Sequence, residues 1–304
     1  MKILLQFPEG LKQKAFDEAD RLQKEGHHVF ISSSPCYGAC DLCLDEARAL
    51  KVDKIIHFGH SEYLQQKPDI PVEYIEWKVD IPISNLAGVL PHLKGKKKIA
   101  LVTTVQHIHQ FSEMKKFFEE NGVSVLSGKG CFAKHEGQVL GCDPTAALSA
   151  AGHADCILFI GTGKFHPTSI ISEKPVYSFD PITKTFTDLS DEIKKLRKRR
   201  QGALAKALDA NVFGILISTK PGQFCPHIAE WAKKELEAKG RKAYLLVSNQ
   251  LDPVSLENFR KIGCYINTAC PRLSEDTEMF NKPILNAVDL KELLALIGDG
   301  RGNL

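Results

Sequence analysis

A chain of 304 residues has room for two or three domains with cores of their own, which excludes a peptide hormone or a small disulfide scaffold. Hydrophobic residues at 43% and charged residues at 25%, with 22 Gly and 15 Pro, exclude collagen, coiled coil and wholesale disorder. Lys and Arg number 40 against 37 Asp and Glu, and the resulting charge of +3 gives no support to a direct nucleic-acid partner.

From the N-terminus, Lys2 to Phe7 reads as a buried strand. Gln6, Pro8 and Glu9 interrupt the apolar run before a signal-peptide core forms, and no later stretch reaches 18 apolar residues, so the expected location is the cytoplasm and no membrane partner is expected. A helix is expected over about Leu11 to Gly26, then strands at His28 to Ile31 and Lys54 to Phe58. The pattern then restarts. Lys98 to Thr104 is a strand, Ile108 to Asn121 a helix, and Val123 to Leu126 and Cys156 to Ile160 are strands. It restarts once more with a strand at Val212 to Ser218, a helix at Phe224 to Gly240, and strands at Lys242 to Val247 and Cys264 to Thr268. Short apolar runs alternating with amphipathic stretches define β-α units around parallel sheets.

The expected fold class is therefore α/β, with three similar subdomains. Their spans are 1–95, 96–190 and 191–304, with Leu93 to Lys97 as a basic joint and Thr185 to Ala210 as a charged helical crossing. The basic run Lys194 to Arg200 alternates with Ile193, Leu196 and Leu204, which reads as a solvated amphipathic helix.

Nine cysteines in a cytosolic chain are an odd count and a poor disulfide framework, so some are candidate ligands. Cys36, Cys40 and Cys43 have the Cys-x3-Cys-x2-Cys spacing of ordinary radical S-adenosylmethionine enzymes, in which three thiolates hold a 4Fe-4S cluster and leave one iron open. Against that reading, Leu42 stands where those enzymes carry an aromatic residue. Cys131, Cys156, Cys225 and Cys264 lie in or beside apolar strands and turns and read as buried small hydrophobes.

Seven segments in order carry a resemblance: Gln6 to Leu11, Tyr37 to Cys40, Ile56 to Ser61, Glu136 to Cys142, Gly161 to Pro167, Thr219 to Gln223 and Cys270 to Arg272. They resemble the successive motifs of the archaeal diphthamide synthase of the first step, over nearly the whole chain. The resemblance implies three α/β/α subdomains with mostly parallel sheets around a pseudo-threefold centre, each giving one cysteine to a 4Fe-4S cluster. Carried over, those ligands are Cys40, Cys142 and Cys270.

The resemblance also implies the reaction. The 3-amino-3-carboxypropyl group of S-adenosylmethionine passes by a radical route to an imidazole carbon of a histidine in translation elongation factor 2, releasing methylthioadenosine. The implied partners are elongation factor 2, an electron donor and a second copy of the chain. Gln138, Gly161, Gly163, Lys220, Gln223 and Arg272 lie in the matching motifs and are the expected contacts of S-adenosylmethionine. At Gly161 to Gly163, backbone amides can meet a carboxylate or adenosine, and a plain tight turn is the alternative. Lys220 could neutralise a carboxylate or be a solvated surface lysine. Arg272, beside Cys270, could compensate cluster charge or grip the carboxylate. His57, His60 and His166 could bind metal or shuttle protons, since imidazole titrates near neutrality, and a loop or capping role is the favoured reading. Cys36 and Cys43 depart from the family pattern. Two other readings stay open: a quinolinate synthase-like dehydratase, and a non-catalytic cluster-bearing partner subunit.

Overall fold

The computed structural model describes residues 1–63, 67–275 and 280–298. Thirteen strands form three sheets among them, each opened by one of the expected buried runs. In the first sheet, β1 (Lys2–Gln6) pairs in parallel with β2 (His28–Ile31) and β3 (Lys54–Phe58), and β3 pairs with β4 (Val72–Ile75). Helices α1 (Lys14–Lys24) and α2 (Leu44–Leu50) provide the crossovers. Side chains alternate across β1. Ile3 and Leu5 pack with Ala15, Ala19 and Leu22 of α1, while Leu4 packs with Leu44 and Ala47 of α2. A strand apolar on both faces is therefore covered on both, which gives three layers.

The second sheet repeats the plan. Its order is β6 (Ser124–Leu126), β5 (Lys98–Thr103), β7 (Cys156–Ile160), β8 (Val176–Asp180) and β9 (Thr185–Asp188), all parallel except the last pair. Ile99 and Leu101 face Met114 and Phe118 of α3 (Phe111–Glu120), and Ala100 and Val102 face Ala146, Ala147 and Ala150 of α4 (Thr145–Ala151).

α5 (Ser190–Leu208) follows, and the expected helical crossing over Thr185 to Ala210 is thereby corrected at its start. Residues 185–188 pair with β8 as an edge strand because Thr185, Phe186 and Thr187 alternate and favour extended backbone. Lys194, Lys195 and Lys198 are exposed and Ile193 and Leu204 buried, as the amphipathic pattern requires.

The third sheet has the order β11 (Lys242–Ser248), β10 (Val212–Ser218), β12 (Cys264–Asn267) and β13 (Ile284–Asn286), all parallel. Phe213, Ile215 and Ile217 meet Ala229, Ala232 and Leu236 of α6 (Pro226–Ala238) and Leu290 and Leu293 of α8 (Leu290–Leu296). Leu216 meets Leu256 of α7 (Pro253–Glu257) on the other face. The chain forms two compact units, Met1–Ile193 with the first two sheets and Lys194–Leu304 with the third.

The first helix begins three residues later than the apolar pattern predicts, because Glu9–Leu11 form a 3₁₀ turn after Pro8. Similarly, Ile108–Gln110 form a 3₁₀ turn ahead of α3. No helix among the described residues is long and apolar enough to cross a membrane.

Candidate functional site

Three cysteines sit on loops at strand carboxyl ends, each half-buried, and each loop is tied down by a buried polar side chain. Cys40 lies between β2 and α2. Gln6, at the end of β1 and 2% exposed, donates from Nε2 to the Asp41 carbonyl at 2.7 Å and accepts the Cys43 N–H at 3.4 Å. The amide thus holds the backbone on either side of Leu42.

Cys142 lies between β6 and α4. Leu140 and Asp143 exchange backbone hydrogen bonds of 3.0 and 3.2 Å, leaving Gly141 and Cys142 at the tip of a two-residue turn. Asp143 is 2% exposed. Its carboxylate accepts the Phe132, Ala133 and Thr145 N–H groups at 2.6, 3.2 and 3.1 Å, and the Thr145 hydroxyl as well. Upstream, Gly137 accepts from Thr103 N at 2.9 Å and Val139 donates to Thr103 O at 2.9 Å, which ties the motif to β5. Gly137 has φ +74°, and a Cβ there would stand 2.3 Å from the Phe111 ring, so only glycine fits.

Cys270 lies between β12 and a 3₁₀ turn at Pro271–Glu275. Asn267 donates to the Cys270 carbonyl and to Asn286 Oδ1, both at 2.8 Å, and accepts from Ala269 N at 3.0 Å. In the first two sheets the cysteine loop follows the edge strand, and in the third it follows a central strand.

The other expected contacts divide by burial. Gln138 is 1% exposed, and its amide is engaged on both atoms: Nε2 donates to Ser61 Oγ at 3.2 Å, and Oε1 accepts from His135 N at 3.1 Å. Gly161 and Gly163 follow β7. Gly163 has φ +72°, while a Cβ on Gly161 would lie 2.8 Å from the Phe159 ring. Lys220 is buried, against the solvated reading, and its N–H donates to Ser218 Oγ at 3.2 Å. Gln223 closes the next turn by donating its N–H to the Lys220 carbonyl at 2.9 Å. Arg272 pairs with Glu275 at 2.5 Å.

The histidine expectations need correction. His57 is in β3, and its ring meets His60 in the turn beyond. His57 Nδ1 lies 2.8 Å from Gln6 Oε1, and its Nε2 lies 2.9 Å from His60 Nδ1. Burial, with the neighbouring His60, lowers His57 to about 3, and burial lowers His60 to about 4, so both rings are neutral at pH 7. Cys36 is also buried, and its sulfur and the two ring nitrogens all lie within 4.8 Å of one another. Loop spacing and strand pattern could not disclose this group, since its members are up to 24 residues apart (60 − 36). His166, by contrast, stands in the loop ahead of a 3₁₀ turn, where its side chain makes no capping hydrogen bond and its carbonyl accepts the Ser169 hydroxyl at 2.7 Å.

Burial raises the thiols of Cys156 and Cys43, to about 11 and about 12, with Glu46 adding to the latter, and raises that of Cys264 as well. Burial thus disfavours the thiolate form at these three positions. Cys156 and Cys264 are the buried hydrophobes expected, whereas Cys131 is exposed and Cys225 half-buried. Cys131 follows Gly130 in a polar loop rather than continuing a strand, which is why its apolar neighbours misled.

Residues 7–299 match the family model described as "Putative diphthamide synthesis protein". The chain belongs to this family. It is 35% identical to the 2-(3-amino-3-carboxypropyl)histidine synthase of Pyrococcus horikoshii, over 97% of this chain and 86% of that one. It is 30% identical to the synthase of the same name from Methanocaldococcus jannaschii, over 96% and 84%. The crystal structure of Dph2 from Pyrococcus horikoshii with a 4Fe-4S cluster superposes with a TM-score of 0.88 at 34% identity, covering 98% of this chain and 87% of that one.

Proposed function

We propose that this chain is a 2-(3-amino-3-carboxypropyl)histidine synthase. It transfers the 3-amino-3-carboxypropyl group of S-adenosylmethionine to an imidazole carbon of a histidine in elongation factor 2, with release of methylthioadenosine. The observation that carries the reading is the near full-length likeness to archaeal synthases, including one solved with a 4Fe-4S cluster. The three repeats, 1–95, 96–190 and 191–304, each give one thiolate: Cys40, Cys142 and Cys270. The last six residues of the third span lie outside the described residues.

The donor set fits the group. Thiolates are the natural ligands of iron-sulfur clusters, all three thiols are partly exposed, and each loop's backbone is held before any ligand arrives. When bound, a cluster with three protein ligands supplies an electron and one iron open to S-adenosylmethionine. The chain's own residues then fix the cofactor's orientation. The buried Lys220 and the half-buried Arg272 balance its carboxylate, Arg272 being aimed by Glu275. Gly161 and Gly163 let backbone amides approach, and Gln223 closes the turn after Lys220. Gln138 acts through Ser61 and His135 as a positioning residue. The partners are elongation factor 2, an electron donor and a second copy of this chain, in the cytoplasm.

The test is product analysis under anaerobic reduction with S-adenosylmethionine and archaeal elongation factor 2. Methylthioadenosine and a mass increase on one histidine are expected. 5′-Deoxyadenosine as the main nucleoside would overturn the reading in favour of ordinary radical chemistry. Quinolinate from iminoaspartate and dihydroxyacetone phosphate would favour a dehydratase, and cofactor cleavage without modification would make the chain one subunit of a heteromeric enzyme.

A further inference from the structure

The group formed by Cys36, His57 and His60 lies outside the proposed cluster triad, and its chemistry is that of a metal site. One thiol and two imidazoles are ligands that zinc and its first-row neighbours prefer. Cys36 and His57 are 4% and 0% exposed, and three donor atoms share a space with no edge above 4.8 Å. Around a tetrahedral zinc, with bonds of about 2.0–2.1 Å to nitrogen and about 2.3 Å to sulfur, neighbouring ligands stand roughly 3.3–3.6 Å apart. The present 2.9 Å between His57 Nε2 and His60 Nδ1 would expand by a few tenths of an ångström, and edges near the 4.8 Å limit would contract by about 1 Å, as side-chain rotation toward a bound ion allows.

The tautomer of His57 is fixed from outside the group. Gln6 Nε2 donates to a carbonyl, that of Asp41, so the other atom of the amide must be the oxygen. That oxygen accepts from Cys43 N and faces His57 Nδ1 at 2.8 Å. Nδ1 therefore carries the hydrogen, and the lone pair sits on Nε2, inside the group. A histidine whose far nitrogen donates to an amide or carboxylate oxygen is the arrangement that orients metal-binding imidazoles. The Tyr74 ring walls the group at 5.5 Å from the His57 ring. Asp41, buried in the same loop, adds negative charge to the surroundings.

We propose that Cys36, His57 and His60 bind one zinc ion, separate from the cluster thiols, with Gln6 as the residue that orients His57. The zinc would tie the loop bearing Cys40 to the end of β3, four residues from the cluster ligand. This assignment does not depend on the proposed reaction. The thiolate and two neutral imidazoles leave one tetrahedral position for a water or another exogenous ligand.

The test uses the full-length chain carrying Cys40→Ala, Cys142→Ala and Cys270→Ala together, so that zinc cannot sit in the cluster triad. After chelation and reduction under argon, this variant is titrated with zinc(II) and with cobalt(II). One tight equivalent of zinc is expected, raising the melting temperature, and cobalt should give a thiolate charge-transfer band with the intense visible spectrum of a tetrahedral ion. Adding Cys36→Ser should abolish the band and the thermal shift. Adding Gln6→Ala should weaken zinc about 10–100-fold, the usual effect of losing an orienting partner. His60→Gln, at the more exposed rim of the group, serves where Cys36→Ser does not fold, and should likewise abolish the tetrahedral spectrum. Absence of a tight equivalent in the triple variant, or its survival with Cys36→Ser or His60→Gln, would overturn the proposal.

Discussion

Asp143 is the residue whose removal should most disturb the loop of Cys142. Its carboxylate holds three backbone N–H groups and a hydroxyl from two stretches of chain, Phe132 with Ala133 and Thr145. Gly130 leaves room for it, since a Cβ there would stand 2.8 Å from Asp143 Oδ2. Asp143→Ala strands four donors. A buried donor left without a partner costs about 1–3 kcal/mol. Phe132 and Cys131 are exposed, however, so water can reach part of the loop, and the low end of that range applies to each donor. A loss of about 4 kcal/mol is expected. Asp143→Asn keeps one oxygen but turns its amide hydrogens toward N–H groups, and should lose about 2 kcal/mol. The assay is denaturant unfolding followed by circular dichroism, comparing the transition that involves the first unit. The second readout is iron bound after anaerobic reconstitution, which should fall in both variants while Cys40 and Cys270 are intact. A change below about 0.5 kcal/mol for Asp143→Ala, the size of an ordinary surface substitution, would refute the view that this carboxylate organises the loop.

Gly137→Ala combines a left-handed backbone with a clash against Phe111, and should cost about 2–5 kcal/mol, read by the same unfolding transition. Cys142→Ala and Cys270→Ala should each lose the intact cluster in anaerobic iron counts, while Cys36→Ser and Cys43→Ser keep most iron. The reverse pattern would move the cluster to the Cys36, Cys40, Cys43 loop. Burial raises the carboxyl of Glu76, but the hydrogen bond and charge of His135, the Ser61 hydroxyl and the charge of Lys134 outweigh it and hold the group below its usual value. A depressed carboxyl means that the unfolded chain binds more protons in the window just below the ordinary pKa. Its contribution to stability is therefore full above about 4.5 and lost as the pH falls through the lower folded value. Unfolding measured between neutrality and pH 3 should show this acid loss shrinking in His135→Gln, and an unchanged profile would contradict it.

The buried strands were legible because each is a largely apolar run: Lys54 to Phe58, Cys156 to Ile160 and Val212 to Ser218 match the strands residue for residue, and the first two opening strands end one residue earlier than the pattern predicts. The resemblance implied the two-sided cover of each sheet, and a run buried on both faces demands it. The short strands β4, β8, β9 and β13, at or next to the sheet edges, were not read. At three to five residues, they owe their conformation to a neighbour's hydrogen bonds rather than to their own pattern. At the site, sequence order and motif matches named the loops of Cys40, Cys142 and Cys270. Only the fold disclosed what grips those loops, Gln6, Asp143 and Asn267, because a polar side chain is committed by the backbone groups that burial leaves around it. The pairing of Cys36 with His57 and His60 was likewise invisible. Their distance along the chain carries no information until β1 and β3 lie side by side and bring the Gln6 amide against the His57 ring.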